Sequence, residues 1–209
     1  VILIMIITSW RMFERIKDNK QEDKFPIVLW AWERPENLKF LKNTGVGSAY
    51  LAGSIEFKNS IIRTTPRLQP LSVDASTPLT AVVRIDNIEH RDTNLTENEF
   101  ITISEFIVRI CSKNSKVTKC QIDFDALESE RKFYKILVAD VRKKLPERMQ
   151  LSITALVSWC HSGSWMDDLP IDDAIPMFFQ LGVDEYVVRS DMTSKSFMQS
   201  KMCQKSVGI

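Results

Sequence analysis

The stretch KCQIDFDALESERKFYK, Lys119–Lys135, decides how the rest of the chain is read. Its first half alternates: Cys120, Ile122 and Phe124 on one side, Gln121, Asp123 and Asp125 on the other. Side chains of a strand point to opposite faces in turn, so this is a strand with one apolar and one polar face. Its second half opens the run ESERKFYKILVADVRKKLPE, which carries Phe133, Ile136, Leu137 and Val141 at helical spacing and ends on basic residues before Pro146. A strand feeding a helix is the unit of an α/β fold.

The same unit recurs outward in both directions. FPIVLWAWERP is a strand closed by Pro35, and PENLKFLKNTG is a short helix with Leu38 and Leu41 on one face and Gly45 as its stop. Strands are expected near residues 27–32, 46–56, 79–86, 119–125, 151–159, 184–190 and 206–209. SIIRTTPRLQP is extended, because its prolines forbid a helix. Thr96 followed by Glu99 is a capping-box pattern opening a helix from Glu97 to about Ser112, with Phe100, Ile103, Ile107 and Ile110 inward. LPIDDAIPMFFQLG is read as a helix ended by Gly182, kinked at Pro176.

Strands alternating with helices predict a mostly parallel sheet. About seven strands are present, one short of a (β/α)8 barrel. The expectation is a TIM-barrel-like α/β domain over residues 25–209, lacking its last segment; an open doubly wound sheet is the alternative. No glycine-rich phosphate loop follows the first strand, which argues against a nucleotide-binding version of the open sheet.

Residues 1–24 stand apart. VILIMIITSW is too short an apolar run to span a bilayer, which needs ~20 residues. Followed by a charged stalk, it reads either as the remnant of a signal or anchor segment or as a short hydrophobic strand or turn. The first alternative would put the protein outside the cell or in the envelope and give its only link to a membrane.

Composition narrows the function classes. Lys and Arg number 28 against 27 Asp and Glu, so there is no basic surplus to attract nucleic acid. Four cysteines without a C-x-x-C pair, and two histidines, make a zinc site of usual spacing unexpected; four thiols are the default reading. No cofactor is implied.

The candidate site lies where polar residues collect toward strand C-termini, the end at which parallel α/β folds build sites. Asp123 and Asp125 lie ~6.5–7 Å apart along their strand. In a partly dry site two such carboxylates drive their pKa values apart, which suits a general acid, Asp125, with a charge partner, Asp123. Glu33, after the first strand, is a third acid. Arg84 and Arg189 would tune the site. Asp86 shares a face with Arg84, and Trp32 and Trp159 could stack a sugar ring. His161 reads as a loop residue, and Arg67 as a solvated or anion-binding cation.

Other readings stay open. Asp125 could cap the following helix, Asp123 and Arg84 could be a structural ion pair, and Asp123, Asp125 and Asp86 or Glu33 could hold a divalent metal.

FPIVLWAWERPENLKFL, PLTAVVRID, QIDFDALESERKFY, LSITALVSWC and LPIDDAIPMFF together resemble an uncharacterised bacterial family known only as a domain of unknown function, over roughly residues 25–209. That resemblance implies no activity. QIDFDALE is also similar to the strand-end motif D-x-x-D-x-D-x-E of chitinase-like TIM-barrel glycoside hydrolases, at Asp123 and Asp125. It departs at Leu127, where that motif has its acid. This second resemblance implies a carbohydrate substrate and hydrolysis. The rival expectations are a non-catalytic carbohydrate- or envelope-binding barrel, and a barrel whose charges are structural. Oligomeric state is not readable.

Overall fold

A computed structural model describes residues 27–58, 61–87, 95–161, 165–179 and 199–209. Arg189, His90, the strand expected at 184–190 and the apolar start of the chain lie outside the described residues.

The fold is α/β, with a curled sheet of six parallel strands that makes half a barrel. In chain order the strands are β1 Val28–Ala31, β2 Glu36–Asn37, β3 Gly47–Lys58, β4 Ile61–Pro66, β5 Leu71–Ser72, β6 Leu79–Asp86, β7 Val117–Asp123, β8 Gln150–Ala155 and β9 Asp173–Pro176. The parallel order is β1-β3-β6-β7-β8-β9; β4 folds back antiparallel on β3, and β2 and β5 form a separate two-stranded ladder. Three α-helices are described: α1 Glu97–Ser112, α2 Arg131–Lys144 and α3 Val157–His161.

The apolar period places the core. Ala81, Val83 and Ile85 of β6, Cys120 and Ile122 of β7, and Leu151 and Ile153 of β8 are fully buried in one cluster. Ile103, Ile107 and Ile110 of α1 and Phe133, Leu137 and Val141 of α2 join it. A side chain such as Ile107 buried this way contributes roughly 1.5–3 kcal/mol. Ile136 instead points to solvent, and Tyr134 and Val138 fill the inward positions of α2. α1 opens as expected: the Thr96 hydroxyl accepts from Glu99 N–H at 3.3 Å, and the Glu99 carboxylate accepts from Thr96 N–H at 2.9 Å.

A bulge at Ala52 sets the register of β3 against β6, and the glycine after it sits under α1. The pairing of β3 with β6 shifts between Leu51 and Gly53, and beyond the bulge Ser54 sits opposite Arg84. A Cβ on Gly53 would stand 2.9 Å from the Phe106 ring of α1, so only glycine lets the helix come this close.

Four expectations are corrected. Asp173–Pro176, read as helix, is a strand parallel to β8. Pro176 disfavours helical backbone at Ile175 and would cost about 3 kcal/mol inside a helix. The strand expected to run to Trp159 stops at Ala155, and Val157–His161 is a helical turn. The helix expected after Pro35 is only the 3-10 turn Lys39–Leu41, although Leu38 and Leu41 are buried as read. Near residues 206–209 a single bridge joins Met177 and Gly208 in place of a strand.

The thiol expectation also fails for one pair. Cys160 of α3 and Cys203 form a disulfide across 43 residues, while Cys111 and Cys120 are buried free thiols. Cysteine spacing carries no pairing information; the fold brings the two Cα atoms to 5.9 Å.

Candidate functional site

The polar strand faces meet on the side of the sheet away from the helices. Adjacent-strand register aligns Ser54, Arg84 and Asp123, and Thr154 of β8 completes the row by bonding Asp123. Arg84 is the hub. Its Nε donates to Asp86 at 2.8 Å, Nη1 to Asp123 at 3.0 Å and Nη2 to Asp125 at 3.2 Å. Three carboxylates thus share one guanidinium at the C-terminal ends of two neighbouring strands.

They differ in burial, and so in what each can do. Asp123 is only 2% exposed. The Thr154 hydroxyl donates to its other oxygen at 2.7 Å. Burial pushes its pKa up, and the attraction of Arg84 and the Thr154 bond only partly oppose this. Asp86 and Asp125 keep 30% and 41% of their side chains exposed, so they are the two carboxylates that can meet a ligand. The Arg84 pKa is driven further up: burial opposes this, but the three acids outweigh it.

The segment carrying Asp125 is held tightly. Phe124 before it is buried, and Ala126 N–H bonds the Phe124 carbonyl at 2.9 Å. Leu127 N–H donates to the Glu130 carboxylate at 2.6 Å, and the other Glu130 oxygen accepts from the Asn87 amide. Glu130, not Asp125, therefore satisfies the backbone entering α2, which removes the capping role from Asp125. Asn87 and Glu130 were not singled out in the sequence. Their only signal is position, one beside Asp86 and the other three residues after Leu127.

Glu33 is exposed and lines a shallow cavity of about 250 Å³ with Ser54, Thr65 and Arg67. Ser54 is the register partner of Arg84, so this cavity adjoins the cluster. Among the described residues no hydrogen bond or ion pair links Glu33 to Asp123 or Asp125. Arg67 is spent on the backbone: it donates to the carbonyls of Trp32, Arg34, Leu51 and Gln69, tying the end of β1 to β3.

The two tryptophans part company. Trp32 is 38% exposed and stacks on Trp30 with ring centroids 5.8 Å apart, so it is open to a ligand. Trp159 is buried in α3 edge-on to Trp165, which makes it core and removes it as a binding platform.

Among the described residues no group of three or more His, Cys, Asp or Glu side chains is placed to hold a metal ion; the guanidinium fills the space between the three aspartates. No described helix is long and apolar enough to cross a membrane. Comparison with family models, curated proteins and solved structures finds no match to this chain.

Proposed function

We propose that the chain is part of a (β/α)8-like barrel and that its Arg84-centred acid cluster is a hydrolytic site acting on carbohydrate. The observation that carries this reading is three carboxylates against one guanidinium at the strand C-termini, two of them open to solvent. The surplus negative charge suits the cationic sugar ring of glycoside cleavage. Asp125 is the acid/base that meets the glycosidic oxygen, and Asp86 the second carboxylate facing the sugar. Asp123, too buried to touch substrate, is the charge partner that fixes Arg84. Trp32 offers an aromatic face for a sugar ring. The disulfide supports an oxidising compartment, in keeping with a secreted or envelope protein.

Release of reducing ends from a panel of polysaccharides tests this. Wild type should turn over at least one, and Asp125→Asn should lose about 100-fold or more. One observation favours a second reading, recognition without chemistry: each of the three carboxylates already has one oxygen bonded to Arg84. That reading predicts oligosaccharide binding without turnover in wild type, and binding unchanged in Asp125→Asn.

A further inference from the structure

A second cavity, of about 410 Å³, opens at the N-terminal ends of the strands, on the same face as the acid cluster but at the opposite end. Its walls come from the beginnings of β1, β3, β6, β7 and β8 and from residues 204–207. Gln121 lines it and is 1% exposed, yet neither its amide oxygen nor its amide nitrogen has a hydrogen-bond partner among the described residues. Thr80, on the same face of the sheet as Gln121, adds a hydroxyl to the lining. Leaving groups such as the Gln121 amide unpaired costs about 1–3 kcal/mol each, so a sheet that keeps them unpaired is poised to pair them with something else.

The wall chemistry narrows the occupant. Two lysines line the wall, and Asp173 stands 3.7 Å from the ammonium of Lys119, which answers that charge. The second lysine, Lys205, donates to the Asp172 carbonyl. Remaining are hydroxyls and amides that both donate and accept, with the face of Trp30 beside them. The volume lies at the small end of the roughly 300–1,000 Å³ found for ligand cavities. The wall formed by residues 204–207 is anchored by the Cys160–Cys203 disulfide and by Gly208 N–H on the Pro176 carbonyl at 2.8 Å. It is thus largely preformed, which spares a ligand the cost of ordering it.

We infer that this cavity is a binding site for a small neutral polyol of monosaccharide size, with Gln121 and Thr80 supplying the hydrogen bonds and Trp30 the stacking face. It lies at the opposite strand ends from the acid cluster, although Trp30 stacks on the Trp32 assigned to that cluster.

Saturation-transfer NMR with glucose, N-acetylglucosamine and myo-inositol tests the inference, with sodium phosphate and sodium acetate as charged probes. At least one neutral probe should bind saturably to wild type. Gln121→Leu, close in size, should weaken that binding at least tenfold while its thermal midpoint stays level or rises. Trp30→Ala should weaken it as well, which covers the case of Gln121→Leu folding poorly. Ile136→Ala, an exposed change on the outer face of α2, should bind as wild type does. The inference is overturned if no neutral probe saturates, if only the anions bind, if binding survives both cavity variants, or if Ile136→Ala weakens it as much as they do.

Discussion

Arg84 and Asp123 form a pair whose two halves should respond very differently to removal. Arg84→Met keeps most of the aliphatic stem and deletes the guanidinium. Among the described residues, Asp123, 2% exposed, is then left with the Thr154 hydroxyl alone. Stranding one charge of a buried pair costs about 3–5 kcal/mol. Losing the part-exposed contacts to Asp86 and Asp125 adds at most about 1 kcal/mol. That is a large part of the 5–15 kcal/mol by which domains are ordinarily stable. Asp123→Asn deletes the buried charge instead. Arg84 keeps two carboxylates, and Thr154 can donate to the Asn oxygen. Because burial already favours the proton-bound form of Asp123, this variant should lie within about 1 kcal/mol of wild type at pH 7. The double variant should recover most of the Arg84→Met loss.

The pH dependence follows from the raised pKa. The folded chain holds the Asp123 proton more tightly than the unfolded chain does. The stabilisation from that proton is complete below the unfolded carboxylate value near ~4 and is lost as pH rises through the folded value. The Arg84→Met penalty belongs to the ionised carboxylate, so it should shrink from pH 7 to pH 5 and below. Urea unfolding of the four proteins at both pH values measures all of this. An Arg84→Met cost under about 1 kcal/mol, or an Asp123→Asn cost equal to it, would refute the reasoning.

Two further perturbations probe the frame around the site. Replacing Cys160 and Cys203 by Ser opens a 43-residue loop and should cost ~4 kcal/mol by chain entropy, read as a lower thermal midpoint that reductant reproduces in wild type. Gly53→Ala puts a methyl against the Phe106 ring and the Thr65 carbonyl and should cost about 1–3 kcal/mol in urea unfolding, whereas Gly45→Ala tests only a positive φ in open space.

Which parts of this architecture were legible follows from which forces are local. β6 matches its expected limits at both ends, since LTAVVRID alternates cleanly and is bounded by Pro78 and Asn87. α1 was legible through Thr96 and Glu99, which act on each other across three residues. β9 was not, because IDDAIP is too short to show a period and its partner lies in β8. The apolar run of LSITALVSWC hid the end of β8, as Val157 and Trp159 are buried in a helical turn just as they would be in a strand. Asp123, Asp125, Arg84 and Asp86 were legible as polar residues on strand faces. That one guanidinium binds all three acids depends on the register of β6 against β7, which no local pattern carries.

The most direct test of the carbohydrate assignment is a crystal structure of Asp125→Asn soaked with an oligosaccharide that wild type cleaves or binds. The account predicts a sugar ring whose glycosidic oxygen faces residue 125, with Asp86 beside it and Arg84 still bound to Asp123. Sugar density away from Asp86 and residue 125, or none at a concentration that saturates binding in solution, would contradict it.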